Sequence, residues 1–312
     1  MGRFLLFVMI ACVVGLSGVA WANPGTSSAL NGIEDVYTGF LPPPGVHLLN
    51  YMVYYDGQSI RDAKGDKIPG ADVTMVADAV RILYVSKLQI LGGSVAWHAV
   101  LPMVHKDITL PAPYNVNENL SGMGDMYLSP IIIGWNLPED FHVAAGIDVI
   151  LPTGEYDRDK LFADGSGAPT GNPNIGSHHY TFEPVLAFTK IFGEMGLVLD
   201  TKLMYDMHTE EEDTQIKTGD QFHTDFAATM PVDPAIPLRV GANGYYFMSV
   251  TQDQRNGEDF STNSKEHVFA IGPMARYDFA QTTSLSLKVQ FEQDAHNRPQ
   301  GDAVWLKFVH SF

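Results

Sequence analysis

The chain has 312 residues, a formal net charge of −17, 29 glycines and a single cysteine, Cys12. So acidic a chain is poorly suited to nucleic acid, whose phosphates are bound mainly by lysine and arginine, and no nucleic-acid partner is expected. A single cysteine excludes an internal disulfide and a thiolate metal site; no cofactor and no metal site is predicted. The length allows either one large core or one closed barrel.

The first residues have the three parts of a secretory signal peptide. Arg3 supplies a charge, an apolar run follows over residues 4–14, and a small-residue cleavage motif ends at Ala22. Acylation at Cys12 is the alternative, but it would leave an apolar stub at the lipidated end. We therefore predict a signal peptide over residues 1–22. No run of about eighteen apolar residues follows it, so no spanning helix is predicted.

Residues 23–44 are small, polar and rich in proline. They predict an irregular lead-in segment that lies in the periplasm or in a barrel lumen. The remainder, residues 45–312, contains about twelve strand-like runs, and most are as long as a tilted membrane strand. The predicted runs are 45–55, 73–86, 93–105, 124–135, 141–151, 180–192, 196–207, 221–230, 238–251, 265–279, 283–292 and 301–312.

Several of these runs alternate between apolar and polar residues with the period of two that a β-strand imposes. In the run 196–207, Leu199 and Leu203 lie on one face, and Lys202 and Asp206 lie on the other. A half-buried soluble sheet is the alternative explanation for any single run. Because no amphipathic helix is predicted to cover the apolar faces, the set of runs favours lipid outside and water inside.

Two runs deviate from this alternation. The run 73–86 changes phase near Arg81, where we expect a β-bulge, and the run 124–135 is apolar on both faces.

The connections between the runs alternate between long and short. Outer-membrane barrels have long external loops and short periplasmic turns. With an even number of strands and both chain ends in the periplasm, the first connection is external, and it is indeed long. The predicted long connections are 56–72, 106–123, 152–179, 208–220, 252–264 and 293–300, and the short ones are 87–92, 136–140, 193–195, 231–237 and 280–282.

The last run alternates clearly and ends the chain on an aromatic residue. Leu306 and Phe308 lie opposite Lys307, and the final residue is Phe312. This ending is typical of bacterial outer-membrane barrels, although His310 departs from the usual pattern, and a soluble β-domain is the alternative. We predict an all-β transmembrane antiparallel β-barrel of about twelve strands in the outer membrane. Its expected partners are membrane lipid, lipopolysaccharide and, through Phe312, the barrel-assembly machinery.

Six short motifs follow one another along the chain: Gly124-Asp125-Met126-Tyr127-Leu128-Ser129-Pro130, Pro152-Thr153-Gly154-Glu155-Tyr156-Asp157, Thr181-Phe182-Glu183-Pro184, Lys202-Leu203-Met204-Tyr205-Asp206, Ile271-Gly272-Pro273 and Asn297-Arg298-Pro299-Gln300-Gly301-Asp302. Together they resemble the outer-membrane family associated with the meta-cleavage pathway of phenol degradation, from about Asn31 to Phe312. The resemblance implies a β-barrel and the passage of aromatic or other hydrophobic small molecules. It brings no catalytic motif.

Alternation places a set of polar and charged residues on the predicted inner face. They could form a narrow polar conduit, or they could pair across the wall and only brace it. A barrel of twelve strands is intermediate in width between filled and open barrels. The candidate lumen residues are His98, Asp148, Glu183, Asp200, Lys202, Asp206, His223, Asp225, Arg239, Arg276, Lys288, Glu292 and Lys307.

A hydrophobic solute needs an apolar site from which to enter a polar bore, because removal of apolar surface from water drives its binding. The predicted external loop 106–123 is unusually apolar. It could hold such a site, or it could be a small core that fixes the loop. The candidate residues are Ile108, Leu110, Tyr114, Leu120 and Met123.

Three functions are compatible with these patterns. The first is a channel for passive uptake of small hydrophobic or aromatic compounds. The second is an anchor without transport whose acidic loops, with Asp157, Asp159, Asp164 and residues 210–213, bind cations. The third is a hydrolase that would use Ser177-His178-His179, but adjacent residues do not make a triad. We therefore predict a channel and no enzyme.

Overall fold

The computed structural model describes residues 31–163, 169–259 and 264–312. The predicted signal peptide, Cys12 and Asp164 lie outside the described residues. Within them, one short 3-10 helix spans Arg158–Lys160, and no helix is long and apolar enough to cross a membrane. The strands are β1 Gly45–Ile60, β2 Asp72–Ile90, β3 Gly93–Leu110, β4 Val116–Met123, β5 Met126–Leu137, β6 Phe141–Leu151, β7 Phe162–Ala163, β8 Pro169–Gly171, β9 Thr181–Phe192, β10 Leu197–His208, β11 Glu210–Glu211, β12 Ile216–Lys217, β13 Gln221–Asp233, β14 Ile236–Ser249, β15 Gln254–Arg255, β16 Glu258–Asp259, β17 His267–Ala280, β18 Thr283–His296 and β19 Pro299–Ser311.

The long strands form one antiparallel sheet that closes on itself. Its strand order is β2-β1-β19-β18-β17-β14-β13-β10-β9-β6-β5-β3-β4, and pairing of β2 with β3 joins the two edges. On its other side, β3 pairs with β4 in its upper part and with β5 in its lower part. Since β4 and β5 are consecutive pieces of one wall strand, the wall is a closed barrel of twelve antiparallel strands. The predicted fold class is confirmed.

The two faces of the wall differ in polarity. In β18, Lys288, Gln290 and Glu292 are buried, whereas Leu287 and Phe291, on the opposite face, are exposed. The exposed large side chains of the other strands are apolar or aromatic in the same way, among them Met52, Tyr54, Val76, Ile82, Leu101, Met103, Leu186, Leu199, Met230, Val240, Ile271, Val304, Leu306 and Phe308. An apolar outer face and a polar inner face are the arrangement of a barrel that stands in lipid.

Gly45 and Phe312 lie at the same end of the barrel, here called the lower end. The backbone N–H of Phe312 donates to the carbonyl oxygen of Val46 at 3.0 Å. The connections at the lower end are short and comprise residues 91–92, 138–140, 193–196, 234–235 and 281–282. Those at the upper end comprise residues 61–71, 111–115, 152–180, 209–220, 250–266 and 297–298.

Two connections that were predicted to be long loops are tight hairpins. Residues 106–123 form the ends of β3 and β4 around a turn at 111–115, and residues 293–300 form the ends of β18 and β19 around a turn at 297–298. The predicted boundaries were wrong because the strands continue above the length needed to cross a membrane. There the outward side chains, such as Asp107, Asn117 and Asn119, are polar, so the apolar outer face that marks a membrane strand is missing.

The bulge predicted near Arg81 is also wrong. In β2 the register with β3 runs without a shift from Val73 to Val85. The apparent change of phase arises because Ala77 and Ala79 lie on the buried face and are small and apolar. Arg81 therefore belongs to the inner face.

One of the register shifts of the wall lies in β5, in the second run that deviated. Its register with β6 shifts between Leu128 and Ile131, at Pro130. Proline lacks a backbone N–H and is tolerated within sheets at such bulges. The bulge changes which residues face inward, and this accounts for the run 124–135 having no polar face.

Residues 31–44, here called the inner segment, lie inside the barrel and lead into β1 at the lower end. Gly39 comes so close to the wall that a Cβ atom there would lie 2.6 Å from the backbone nitrogen of Thr189. The ring of Phe40 meets the ring of His142 edge to face, with 4.7 Å between centroids. The inner segment is therefore packed against the wall as part of the fold.

Candidate functional site

Two buried carboxylates hold the backbone of the inner segment. Asp225 accepts hydrogen bonds from the N–H groups of Gly32 and Glu34, both at 2.9 Å. Asp200 accepts the N–H of Tyr37 at 2.9 Å. Because these N–H groups have no strand partner, the carboxylates supply the acceptors that the buried backbone requires.

Lys288 holds the same stretch from the opposite side. Its Nζ atom donates to the carbonyl oxygens of Gly32, Ile33 and Glu34 at 2.6, 2.9 and 2.7 Å. Gln290, two residues further along β18, donates to Gly32 O at 3.1 Å. An ammonium group has three donors, and all three are used on the inner segment.

Side chains of the inner segment complete the set of charges. Glu34 lies 2.8 Å from Arg81 and 3.3 Å from Lys202, and Asp35 lies 2.5 Å from Lys307. All of these side chains are largely or fully buried. We call this group the charged belt; it comprises Glu34, Asp35, Arg81, Asp148, Asp200, Lys202, Asp225, Lys288 and Lys307. Removal of one partner would leave a buried charge uncompensated, which is strongly destabilising.

Several other predicted lumen residues extend the belt or lie above it. Asp148 is 3.8 Å from Lys202 and 3.3 Å from His98. Higher in the barrel, the Nε2 atom of His223 lies 3.3 Å from a carboxylate oxygen of Glu183 and 3.3 Å from one of Asp206. The wall thus brings together charges from strands that are far apart in sequence.

The two predicted lumen arginines lie near the lower end. Arg239 donates to the backbone oxygens of Gly196 and Thr229 at 2.5 and 3.0 Å. Arg276 lies 2.9 Å from Asp278, and its guanidinium group is 5.2 Å from the ring centre of Tyr37. Neither is a member of the charged belt.

A cavity of about 220 Å³ lies above the inner segment, and we call it the upper cavity. A chamber of about 150 Å³ with apolar walls is large enough to hold benzene. Most of the lining side chains are aromatic or aliphatic, namely Val53, Tyr55, Val73, Met75, Pro102, Val104, Tyr127, Tyr245, Ala303 and Trp305.

The polar groups of the upper cavity are bound to one another along its wall. Tyr55 donates its hydroxyl to Glu292 at 2.7 Å, and Tyr245 donates to the other oxygen of the same carboxylate. The indole N–H of Trp305 donates to Gln290 at 2.9 Å. The polar edges of these rings are satisfied by wall groups, so their faces can line an apolar space.

An arginine and a glutamate close the upper cavity from above. Arg298, in the turn between β18 and β19, lies 3.7 Å from Glu266 and 4.4 Å from the ring centre of Phe247. Burial raises the pKa of Glu266 to about 8, since the loss of water outweighs the opposing charge of Arg298, and Asp253 adds to the shift. Glu266 is therefore mostly protonated at neutral pH.

A larger cavity of about 620 Å³ opens toward the lower end. It is lined by the lower part of the inner segment, including Phe40 and Leu41, by Leu49 and Leu83 of the wall, and by Phe312. Glu34 and Arg81 of the charged belt also line it. The inner segment and the belt therefore lie between two chambers.

The candidate residues of the predicted apolar loop do not form one site. Ile108 and Leu110 are buried in an apolar rim cluster, and Tyr114 packs at its edge. Leu120 is nearly buried on β4, whereas Met123 is exposed. The apolar rim cluster consists of Ile60, Ile68, Ala71, Val73, Ile108, Leu110 and Val116.

The apolar rim cluster adjoins the upper cavity. Val73 belongs to the cluster and also lines the cavity, and Tyr55 packs against the cluster while its hydroxyl faces Glu292. The cluster therefore forms part of the roof and side of the upper chamber.

The acidic groups of the upper loops are engaged by neighbouring protein groups. Glu211 accepts the N–H of Thr214 at 2.8 Å, and Tyr156 donates to Asp213 at 2.8 Å. Asp157 accepts the N–H of Asp159 at the start of the 3-10 helix. These contacts brace the loops and use several of the oxygens that a cation would need.

Ser177 and its neighbouring histidines do not form a catalytic relay. The hydroxyl of Ser177 donates directly to Asp125 at 2.6 Å. His178 faces Glu211 at 3.0 Å, and the ring of His179 packs edge to face against that of His208. No histidine is placed to accept the proton of Ser177 among these contacts.

Sequence reasoning missed Glu34 and Asp35 of the inner segment and Arg81 on the wall, although it placed the other wall residues of the charged belt on the inner face. Glu34 and Asp35 looked like ordinary polar residues of an irregular segment, and Arg81 looked like a fault in the alternation. One signal was available. The predicted lumen held buried carboxylates, which need charged partners, and the chain began with an extended segment that ends in prolines. Trp305 was placed on the inner face with Lys307 by alternation but was not singled out.

A family model described as "Putative MetA-pathway of phenol degradation" matches residues 57–308. Comparison with curated protein sequences gives no match.

Comparison with solved structures shows the fold. The chain is similar to an outer membrane channel from Pseudomonas putida F1, with 17% identity over 88% of this chain and 97% of that chain, and a TM-score of 0.73. It is also similar to the transport unit of the autotransporter AIDA-I from Escherichia coli, with 10% identity over 89% of this chain and 95% of that chain, and a TM-score of 0.50. The fold is that of an outer-membrane barrel, so the lower end is periplasmic and the upper end is external.

Proposed function

The chain belongs to the family described as "Putative MetA-pathway of phenol degradation", and we propose that it is an outer-membrane channel for passive uptake of small hydrophobic or aromatic compounds. The observation that supports this most directly is the upper cavity. Its volume of about 220 Å³ suits one small ring, and its walls are aromatic and aliphatic.

The arrangement of the carboxylates supports a neutral aromatic solute rather than a cation. Glu292 is occupied by two tyrosine hydroxyls and the N–H of Gly301, and Glu266 is mostly protonated at neutral pH. A cation would lose its water in this cavity without gaining a free carboxylate. A neutral ring loses only apolar contact with water, which is favourable.

Passage beyond the upper cavity requires the inner segment to move. The charged belt holds residues 32–38 across the lumen with hydrogen bonds to backbone groups. In this arrangement a solute binds in the upper cavity before it passes further. The inner segment is the barrier between the upper cavity and the periplasmic chamber. We propose that slow exchange of these contacts limits flux.

The anchor function has less support, because several acidic groups of the upper loops are engaged within the loops. The hydrolase function has less support still, because Ser177 is bound to Asp125 and faces no histidine. We propose transport without catalysis.

Flux into proteoliposomes tests the proposed function. Phenol should enter faster than into protein-free liposomes, and a sugar of higher polarity should enter much more slowly through the same protein. Benzene or toluene should compete with phenol for the upper cavity. Equal rates for phenol with and without protein would reject the proposal, as would faster entry of the sugar.

A further inference from the structure

Three ionisable side chains meet on the inner face of the wall, above the charged belt. Glu183 lies on β9, Asp206 on β10 and His223 on β13, which are neighbouring strands. Their exposed fractions are 3%, 0% and 2%, so the group is cut off from bulk water. Two carboxylates and one imidazole in such a place require a compensating cation or proton.

Four atoms of this group, all in Asp206 and His223, lack ordinary hydrogen bonds. Among the described residues, neither carboxylate oxygen of Asp206 and neither ring nitrogen of His223 has a hydrogen-bond partner. The Nε2 atom of His223 lies close to both carboxylates but is not aligned with either as a donor. Buried polar groups are almost always satisfied, and an ion is one of the few explanations for a set that is not.

The spacing of the three groups fits a metal ion. Ligand bonds of about 2.0–2.2 Å at tetrahedral angles place neighbouring ligand atoms about 3.3–3.5 Å apart. The Nε2 atom of His223 lies 3.3 Å from Glu183 Oε2 and 3.3 Å from Asp206 Oδ2. One atom from each of the three side chains can be chosen so that all lie within 4.8 Å of one another.

The donor set indicates the class of metal. Imidazole with two carboxylates suits a divalent transition metal such as Zn²⁺, whereas Ca²⁺ and Mg²⁺ prefer oxygen ligands alone. A divalent ion would balance the two carboxylates with the imidazole neutral. Three protein ligands leave a fourth position for water.

Two imidazoles that each have one unpaired ring nitrogen lie between this group and the external loops. His208 lies two residues above Asp206 on β10, and its ring packs edge to face against His179 at 5.2 Å. The Nε2 atoms of both histidines are buried and have no hydrogen-bond partner among the described residues.

Two other groups of histidine and carboxylate residues lie in the upper part of the chain, and they differ from the buried one. In the loop group, the hydroxyl of Tyr156 bridges Glu211 and Asp213, and His178 bonds to Glu211. In the rim group, His267 and His296 flank Asp294, whose side chain is 73% exposed. Neither combines full burial with atoms that lack partners.

We propose that Glu183, Asp206 and His223 bind a divalent transition-metal ion of the Zn²⁺ class inside the barrel. The bound ion links β9, β10 and β13 on their inner face. The site has no local sequence motif, because its ligands come from three strands. The first and the last ligand are 40 residues apart in the chain.

The test is metal binding by the full barrel refolded in detergent. After treatment with a chelator and exposure to Zn²⁺, the protein should retain a single Zn²⁺ per chain, measured by elemental analysis. Co²⁺ in its place should give the strong visible absorption of a four-coordinate ion with nitrogen and oxygen ligands. This second measurement needs no variant.

Variants locate the ion. Asp206→Asn and His223→Gln keep the side-chain volume and should abolish Zn²⁺ retention and the Co²⁺ absorption. Heat-modifiability on gels shows whether each variant folds. His178→Gln and His296→Gln, in the other two groups, are the matched controls and should retain the ion.

Three outcomes would overturn the proposal. Wild-type protein could bind no Zn²⁺ and give no Co²⁺ absorption, in which case His223 is an imidazolium ion between two carboxylates. A folded His223→Gln variant could retain the ion in full. Alternatively, His296→Gln could lose it, which would assign the ion to the rim group.

Discussion

In the charged belt, most of the lysine, arginine and carboxylate side chains bind the inner segment or belong to it. In the upper cavity, polar groups bind one another along the wall and leave ring faces toward the space. Lys288 uses its ammonium group on three carbonyl oxygens of the inner segment. Glu292 uses its carboxylate on Tyr55, Tyr245 and the backbone of the wall.

The comparison separates two tasks that the same lumen performs. Charges directed at a segment fix its position, and they make movement of that segment costly. Charged side chains that bind wall groups shape the cavity, but they leave ring faces on its surface. The belt should therefore control stability and closure, and the upper cavity should control which solute is accepted.

The largest expected effect is the loss of Lys288. Lys288→Met removes three donors and leaves Asp225 without its compensating charge, so the free energy of unfolding should fall by about 3–5 kcal/mol. Ion conductance in planar bilayers should rise because the inner segment is released. Urea unfolding followed by tryptophan fluorescence measures the first effect.

Lys64→Met is the matched control, because Lys64 is an exposed loop lysine. It should change neither stability nor conductance. If Lys288→Met were as stable as the control, the belt would not hold the inner segment.

The second prediction concerns pH and the upper cavity. Burial raises the pKa of Glu266 to about 8, so the folded protein keeps a proton that the unfolded chain loses above its ordinary pKa near 4.5. Stability should therefore fall as pH rises through this window and level off above about 8. Glu266→Gln removes this loss.

Unfolding of wild type and Glu266→Gln at pH 5, 7 and 9 measures the effect. The two proteins should be similar near the acidic limit, and the variant should be the more stable at the alkaline limit. A parallel pH dependence in both would show that Glu266 ionises normally and that the upper cavity carries a charge.

The third prediction concerns solute choice. Trp305→Ala removes the largest ring of the upper cavity and should lower phenol uptake by roughly three- to tenfold, since a stacked or edge-on ring contact contributes about 0.5–1.5 kcal/mol. Trp97→Ala is the control, because Trp97 stacks on Tyr84 at the exposed face of β2. Equal losses of phenol uptake in both variants would show that the upper cavity does not lie on the path of the solute.

The fold could be predicted because each strand carries its own signal. In β18 a period of two placed Lys288 and Glu292 on the inner face and Phe291 on the outer face, and burial follows that pattern. Lipid on one side and a polar lumen on the other act on every strand in the same way. Strand type and face are therefore local properties.

The interior could not be predicted in the same way, because its contacts join distant parts of the chain. The carboxylate of Asp225 meets the N–H of Gly32 across 193 positions of sequence. Alternation predicts that Asp225 faces inward, but it does not predict which group Asp225 contacts. The same limit applies to the buried group of Glu183, Asp206 and His223.

The ends of the strands above the membrane also could not be predicted from the alternation in the sequence. The residues of β4 have no alternation between lipid and lumen, because both of its faces stand above the bilayer. Its hairpin with β3 is fixed instead by the apolar rim cluster, which forms from four separate stretches of chain. Leu110 and Val116 were therefore assigned to a loop.

The smallest expected effect tests whether solutes enter through the apolar rim cluster. Leu110 is 1% exposed and fills the interior of the cluster, whereas Tyr114 packs at its edge. Leu110→Ser should lower stability and, as a result, uptake, conductance and heat-modifiability together.

Tyr114→Ser is the informative change, because it alters the surface that a solute would meet before Val73 and the upper cavity. It should lower phenol uptake by about twofold, or about 0.4 kcal/mol, with ion conductance and heat-modifiability unchanged. Tyr180→Ser, at another exposed tyrosine of the upper end, is the control. If the two tyrosine variants behaved alike, the rim cluster would be structural, and solutes would reach the upper cavity by another route.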